Sequence, residues 1–497
     1  MSCVVLLLLG LAWAGEEGVT VDPAGAEAPV EALEVAASGP DRSQPPLVIP
    51  PTPLDLSAPE SWALTPSVTV HLVRIPSVRK VNARAWLHRG SLDLDGYPSH
   101  SAWMTGWLQD VATETHPAAD LALLKDLTDI DVWSSGVGFR KGSLTLEAPR
   151  EALEEGLDLF GEVLLTPQYP NDALRQYKSL REYWYIADGP SQPAAVAETL
   201  LGYAWYPPDS PYGIRPDLAE LDAVRRRALR ERHLHRLVLA PMTVLVVGDV
   251  TRADVEGRLA DIFSDLGAPG EAEPMPPFEG ATESVVYAVD MPGQEQATIG
   301  VRFAGPSIQH PDRIGLEVVD WALGGHFLSR LNRNLREEKG LTYGVGSSLS
   351  IGQTHGTWSA SVEVKAENTA IAIREIEWEI ARVVEEGVTA EEVDAAWREW
   401  VSDWNTVQQT AGSAFSFYVD LFESERTLTE VRGELDAIAA LTPEDTRRVA
   451  AAWLGPEQPR IWVVVGDREV IELQLAALEG EVRWVTPEQA ILGDLEE

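Results

Sequence analysis

Apolar residues recur along the chain from about residue 60 with two periods, one typical of strands and one typical of helices. The predicted strands of the first half are 68–75, 81–87, 140–147 and 243–249. The predicted helices of that half are 100–113, 151–165 and 218–237, with a further capped helix beginning at Thr251. Strands followed by runs of helices predict an α+β fold with largely antiparallel sheets.

The second half of the chain repeats this plan. The segment TVLVVGD at 243–249 returns as IWVVVGD at 461–467, and capped helices are predicted to begin at Thr389 and Thr442. Between these two strands, helical spacing predicts helices over 369–386 and from 390 to about 410. This self-similarity predicts two homologous domains, 61–266 and 283–497, joined by a Pro-, Gly- and Glu-rich linker at 267–282.

The first 60 residues follow neither pattern. Residues 1–14, MSCVVLLLLGLAWA, form an apolar run that is too short to span a bilayer and ends in Ala-Trp-Ala, which predicts a signal peptide and export to the periplasm or beyond. Residues 15–60 are rich in Pro, Ala and Glu and predict a disordered tether. Cys3 is the only cysteine, so the mature chain has no thiol chemistry.

Acidic residues outnumber basic residues by 78 to 39, which gives a formal net charge of −39. Such a surface repels phosphate backbones and anionic lipids, so we expect neither nucleic-acid binding nor stable membrane insertion. The chain also lacks G-x-S-x-G and phosphate-loop motifs, and no cysteine is left as a nucleophile after export.

The most informative stretch is 324–350, GGHFLSRLNRNLREEKGLTYGVGSSLS. The pair Gly324–Gly325 interrupts an apolar helical pattern, after which helical spacing resumes and Gly340 predicts a stop. The spacing predicts Leu328, Leu331 and Leu335 on one face, with Arg330, Arg333 and Arg336 turned away from it. A strand is expected to begin at Thr342 and to include Tyr343.

Arg336 and Tyr343 are predicted to project from the same end of this helix–strand unit. A guanidinium with five donors beside a phenol is suited to holding a peptide carbonyl. Taken by themselves, however, an arginine on a polar helix face and a tyrosine in a strand are mostly structural.

The run S-R-L-x-x-x-L-R-E-x-x-G-L-x-Y at 329–343 resembles the second-half signature of the insulinase/pitrilysin family. These are inverted-motif zinc peptidases that include mitochondrial processing peptidase. The resemblance implies a mitochondrial processing peptidase-like, LuxS-like half of a clamshell, with two α+β domains. It further implies that Arg336, Tyr343 and the glycines Gly324 and Gly325 bind a peptide substrate.

The zinc-binding half of that signature, H-x-x-E-H, is expected within 87–115 but is missing there. The motif needs two histidines four residues apart on a helix to hold Zn²⁺, with the glutamate between them activating water. No two of the nine histidines are four apart; they are His71, His88, His100, His116, His233, His235, His310, His326 and His355. We interpret Glu182, in the region of the family's third ligand, as a solvated charge.

The sequence therefore predicts no catalytic residue, metal site or cofactor in this chain. By the family resemblance, it is a subunit that binds peptide and completes the chamber of a homologous H-x-x-E-H partner, which brings the zinc. The alternative is a non-proteolytic scaffold, as in the core subunits of the respiratory cytochrome complex. An autonomous peptidase with a non-histidine site is a third reading.

Overall fold

The computed structural model describes residues 51–76, 78–91, 99–138, 140–208, 210, 212–270, 278, 280–478 and 481–495. The predicted signal peptide and most of the predicted tether lie outside these residues. The chain from Pro51 onward forms one compact unit. No helix in the described part of the chain is long and apolar enough to cross a membrane.

Twelve strands are described, which we number in chain order. They are β1 Glu60–Thr65, β2 Val68–Arg74, β3 Lys80–Leu87, β4 Asp131–Val137, β5 Gly142–Pro149, β6 Met242–Gly248, β7 Val285–Asp290, β8 Gln296–Gly305, β9 Val345–Ile351, β10 Gly356–Lys365, β11 Arg460–Gly466 and β12 Val482–Val485.

Helices fill most of the remaining chain. The α-helices described are α1 Ser99–Trp107, α2 Ala118–Thr128, α3 Leu153–Leu165, α4 Asn171–Tyr183, α5 Pro193–Trp205, α6 Leu218–Ala223, α7 Arg226–Leu239, α8 Arg252–Phe263, α9 Arg313–Asp320, α10 Thr369–Glu386, α11 Ala390–Thr406, α12 Ala411–Glu423, α13 Leu428–Ala440, α14 Pro443–Leu454, α15 Arg468–Leu475 and α16 Pro487–Leu492. Three π-helical segments are Trp184–Asp188, Trp321–Gly325 and Asn332–Glu338.

The strands form two six-stranded sheets. Sheet 1 has the order β1-β2-β6-β3-β5-β4, and sheet 2 has the order β12-β7-β11-β8-β10-β9. Sheet 1 is antiparallel except for β2 against β6, and sheet 2 is antiparallel except for β7 against β11 and β12. The predicted α+β class with largely antiparallel sheets packed against helices is confirmed.

The internal repeat predicted from sequence is visible in the strand order. TVLVVGD forms β6 and IWVVVGD forms β11, and each lies third from the edge of its sheet. The predicted capped helix starts are also found, since the N–H groups of Thr251, Thr389 and Thr442 donate to carboxylates three residues on. The domain boundaries at 266 and 283 stay a prediction.

Strand β11 in the middle of sheet 2 is buried on both faces. On one face, Trp462 and Val464 belong to the core of the second half. On the other face, Ile461, Val463 and Val465 pack against α5, which comes from the first half of the sequence. A strand covered on both faces needs a continuous apolar run, which is what IWVVVG supplies.

Sheet 1 has the reciprocal arrangement. Val244 and Val246 of β6 face the core of the first half, whereas Leu245 and Val247 pack against α12 from the second half. Polar contacts accompany this packing, since Trp86 Nε1 donates to Glu423 Oε1 at 2.8 Å. Each half of the chain therefore covers a sheet face of the other.

The helix predicted over 218–237 is broken in the structure. α6 ends at Ala223, Arg225 is extended, and α7 begins at Arg226. The carbonyls of Asp222 and Val224 at the break accept hydrogen bonds from Lys178 Nζ at 2.6 and 2.7 Å. Arg225 Nη1 donates to the same two carbonyls, so a local arginine and a lysine from α4 together replace the helical hydrogen bonds, and the prediction of one helix was wrong.

Replacing Leu200 by Ala tests the exchange of helices. Leu200 is fully buried in α5 against sheet 2, so we expect Leu200→Ala to lower the free energy of unfolding by about 2–5 kcal/mol in urea denaturation. Leu473→Ala, on the exposed side of α15, is the matched control and should change it by less than about 0.5 kcal/mol. Equal effects of the two variants would contradict the described packing.

Candidate functional site

The stretch singled out by sequence begins with the π-helical segment Trp321–Gly325 after α9. Gly324 is buried, and a Cβ at this position would lie 2.5 Å from Ser347 Oγ and 2.8 Å from the Ser347 backbone nitrogen. Glycine is therefore required here because the helix lies directly against β9. Gly325 is exposed, and a substrate-binding role for either glycine stays a prediction.

Asp320 fixes this contact. Its Oδ1 accepts a hydrogen bond from Ser347 Oγ at 2.5 Å and another from Trp358 Nε1 at 2.7 Å. Burial raises the pKa of Asp320 above its usual value, although both hydrogen bonds act against this shift. One carboxylate thus joins the end of α9 to β9 and β10.

The predicted distribution of side chains around Arg336 is only partly correct. Leu331 and Leu335 are fully buried as expected, but Leu328 is exposed because it lies in a turn before the helix. Arg330 was predicted on the polar side and is buried, with Nε bonded to Glu392 Oε1 at 2.9 Å. The helix starts later than predicted and is π-helical from Asn332, so the 3.6-residue period does not apply.

Arg336 is half-buried, and its guanidinium carbon lies 4.2 Å from the centre of the exposed Phe327 ring. Its Nη1 atom is buried and has no hydrogen-bond partner among the described residues. An unpaired buried donor costs about 1–3 kcal/mol, and more when it is charged. This atom is consequently a donor without an acceptor.

Tyr343 lies in a loop that ends the π-helical segment. Gly340 has a φ of +62°, so the predicted glycine stop is found. The strand begins at Val345 and not at Thr342 as predicted, because Thr342 Oγ1 accepts a bond from the Gly344 N–H at 3.2 Å and closes a turn. The Tyr343 side chain is 95% exposed.

Tyr343 borders a cavity of about 940 Å³ between sheet 2 and α5. The floor is the sheet face turned away from the core, and small polar residues or glycines occupy most of it. These small residues are Thr298 and Gly300 of β8, Thr357, Ser359 and Ser361 of β10, and Gly346, Ser348 and Ser350 of β9. The larger Arg302 of β8 lies among them. Sequence reasoning missed this floor, although alternating serines on β9 and β10 were its available signal.

Two features shape this cavity, which we term the sheet cavity. Arg302 Nε donates to Ser359 Oγ at 3.0 Å, which ties this guanidinium to β10. Gly300 allows α5 to approach, since a Cβ there would lie 2.5 Å from Leu201. Arg336 is not among the residues that line the sheet cavity, so the predicted pair borders it through Tyr343 only.

The segment expected to carry zinc ligands in the family is partly described, because residues 92–98 lie outside the described ranges. α1 occupies part of the predicted helix and carries Trp103 and the exposed Trp107 on adjacent turns. His100 is buried, and its Nε2 accepts a bond from the Asp217 N–H at 3.1 Å. Glu182 is exposed.

His233 and His235 lie on opposite sides of α7. His233 is buried and its Nε2–H donates to the Leu164 carbonyl at 2.8 Å, whereas His235 is exposed. Burial and the nearby charge of Arg236 lower the pKa of His233 to about 4. Within the described ranges, no group of three or more His, Cys, Asp or Glu side chains is arranged to hold a metal ion.

Adding one methyl group at Gly324 tests its contact with β9. The new Cβ would overlap Ser347, so we expect Gly324→Ala to lower the free energy of unfolding by about 1–3 kcal/mol in urea. Gly346→Ala is the matched control, because a Cβ at Gly346 meets nothing within 4 Å. A Gly324→Ala variant as stable as Gly346→Ala would refute the close contact.

His233 should make stability depend on pH. It stays neutral in the folded protein down to about pH 4, but in the unfolded chain it binds a proton below about pH 6.5. Stability is therefore lost as the pH falls through this interval, by about 1.4 kcal/mol per pH unit. His233→Gln should reduce the pH slope of the free energy of unfolding by about 1.4 kcal/mol per pH unit, while His355, whose pKa is also lowered to about 4, keeps its own contribution. His235→Gln should leave the slope unchanged, and an unchanged slope in His233→Gln would contradict the assignment.

Residues 223–399 match the family model described as the peptidase M16 inactive domain. An uncharacterized zinc protease of Mycobacterium tuberculosis is 24% identical over 460 residues, which cover 87% of this chain and 99% of that protein. In solved structures, the peptidase M16 inactive domain from Pseudomonas fluorescens aligns with a TM-score of 0.73 and 20% identity over 82% of this chain and 98% of its own.

The periplasmic protease PqqL from Escherichia coli aligns with a TM-score of 0.71 and 13% identity, over 84% of this chain but only 46% of PqqL. At these identities the structural matches show a shared fold. Together with the matched domain and the Arg336–Tyr343 motif, they confirm the resemblance inferred from sequence. The chain is therefore similar to insulinase/pitrilysin-type peptidases, and its residues 223–399 match the peptidase M16 inactive domain.

Proposed function

We propose that this chain is a catalytically degenerate peptidase subunit that binds an extended peptide and completes the active chamber of a zinc-bearing homologous subunit. The observation that carries the proposal is the sheet cavity with Tyr343 at its border. Its floor offers hydroxyl groups and glycines, which suit a peptide backbone better than a bulky apolar ligand.

The edge of sheet 2 supports an extended ligand. β9 is the last strand of that sheet, so one row of its backbone N–H and C=O groups points outward beside the sheet cavity. A peptide can add to such an edge through main-chain hydrogen bonds, while its alternate side chains enter pockets. The exposed Tyr343 phenol is then placed to donate to a peptide carbonyl.

Arg336 supplies a second donor for the same task. Its Nη1 atom is buried and lacks an acceptor in the described part of the chain, so this side chain must turn outward before a peptide carbonyl can satisfy it. The stacked Phe327 ring holds the guanidinium plane in place. We assign both side chains to positioning the substrate.

The catalytic metal would come from the partner. His100, His233 and Glu182, the candidates in this chain, are respectively bonded to a backbone N–H, bonded to a backbone carbonyl, and exposed. This set does not fit a zinc site, so we derive no catalytic step from it. The match to only about half of PqqL supports pairing with a second half of similar fold.

We further propose that the protein is exported. The apolar run at residues 1–14 ends in small residues, which suits cleavage by signal peptidase. PqqL, which shares the fold, is a periplasmic protease.

Substitutions at the two donors test the function. In a mixture with the H-x-x-E-H homologue of the same organism, Arg336→Ala should lower kcat/KM for peptide cleavage about 10- to 100-fold, and Tyr343→Phe about 2- to 10-fold, as expected for lost hydrogen bonds. Binding of an inactive peptide, followed by fluorescence anisotropy, should weaken in parallel.

Arg333→Ala and Tyr183→Phe are matched controls, because both side chains are exposed and lie outside the proposed contacts. Each should keep kcat/KM within about twofold of the unmodified chain. Undiminished cleavage with Arg336→Ala and Tyr343→Phe would reject substrate positioning by this pair. No cleavage in any mixture would favour the scaffold alternative.

A further inference from the structure

A second cavity lies among α11, α12 and α13, and its lining residues fall between 400 and 435 in the sequence. Its volume is about 300 Å³, which is at the small end of the range for small-molecule sites. Its lining combines aromatic rings with carboxylates, and the proposed function makes no use of it. We term it the aromatic cavity.

Three rings form its apolar wall. Trp400 and Trp404 lie four residues apart on α11 and therefore on one helix face. Phe417 comes from α12, with its ring centre 5.5 Å from that of Trp404 in an edge-to-face arrangement. The indole N–H of Trp404 is already bonded to the Leu54 carbonyl at 2.7 Å, so its ring offers the cavity only π surface.

Three carboxylates share the lining. Asp403 follows Trp400 by three residues and Asp420 follows Phe417 by three, so each helix places an acid beside its ring. Glu434 is already neutralised, because it accepts hydrogen bonds from Arg313 and Arg426. Within the described residues, the carboxylates of Asp403 and Asp420 form no ion pair or side-chain hydrogen bond, although the charges of Arg84 and Arg426 act on Asp420 from a distance.

Core packing accounts for the buried Trp404, whereas both acids are exposed to solvent and so open to a ligand in the cavity. Partial burial raises the pKa of Asp403 and of Asp420, and neighbouring glutamates raise both further. A carboxylate beside an apolar wall is stabilised by a cation, and aromatic faces attract the same charge. Ca²⁺ or Mg²⁺ would instead require a shell of oxygen ligands, which three rings do not supply.

We propose that the aromatic cavity binds an organic ammonium ion, with its cationic head between Asp403 and Asp420 and its alkyl groups against Trp400, Trp404 and Phe417. The ligand is either a free small amine or the side chain of a lysine-type residue in a peptide. Both present the same chemistry, an ammonium group on an apolar stem. The strongly acidic chain also concentrates cations near its surface.

Isothermal titration of the full mature chain tests this site with choline and with its uncharged isostere 3,3-dimethylbutan-1-ol. Choline should bind about tenfold tighter than the isostere, because only choline gains from the rings and the carboxylates. Asp403→Asn and Trp400→Leu should each weaken choline binding about five- to tenfold. Equal binding of the two probes, or no binding of choline, would overturn the proposal.

Matched controls separate the site from general effects on charge and folding. Asp436→Asn removes an exposed acid of α13, and Trp378→Leu removes an exposed tryptophan of α10. Both should leave choline affinity unchanged, and equal losses in these controls would refute a specific site. Near-UV circular dichroism of each variant verifies that it is folded.

A third probe distinguishes the two sources of the ligand. A short capped peptide containing trimethyllysine carries the same head group as choline on a peptide backbone. Tighter binding of this peptide than of choline would identify a peptide side chain as the natural ligand. Weaker binding would identify a free small amine, and failure of both probes would overturn the site without bearing on Arg336 and Tyr343.

Discussion

The structure depends on each half of the chain contributing one helix that covers a sheet of the other half. Each sheet has a face that its own half leaves open, and α5 covers that face of sheet 2 while α12 covers that of sheet 1. Because β6 and β11 are thereby buried on both faces, the runs VLVV at 244–247 and IWVVV at 461–465 are apolar at every position. The same exchange creates the sheet cavity, since α5 is its wall. Folding and the candidate site therefore share one set of contacts.

Local patterns carried the sequence predictions that succeeded. Capping boxes at Thr389 and Thr442, and the glycine stop at Gly340, involve groups within a few residues of each other, so the sequence alone reveals them. One failed prediction, the start of β9 at Thr342, missed a local turn, whereas two others depended on distant partners. Arg330 can be buried because the Glu392 carboxylate of α11 accepts a hydrogen bond from it and balances its charge. Lys178 of α4 helps to stabilise the break before α7.

The candidate site was likewise predictable only in part. The family motif singled out Arg336 and Tyr343, and the missing histidine spacing predicted that this chain has no H-x-x-E-H zinc site of its own. The floor of the sheet cavity was not predictable, because Arg302, Ser359 and Ser348 become neighbours only through strand pairing of β8, β10 and β9. Under the proposed function, this half presents donors and a polar sheet face, and the partner would contribute the metal.

A titration of the zinc-bearing homologue with this chain tests the proposed pairing most directly. The H-x-x-E-H subunit is held at fixed concentration, increasing amounts of the mature chain are added, and peptide cleavage and bound zinc are measured in the isolated complex. We predict that cleavage rises to a plateau at one chain per partner, while zinc stays at one ion per complex. Bound zinc and peptide cleavage in this chain alone would contradict the account. So would a partner whose rate of peptide cleavage does not change when this chain is added.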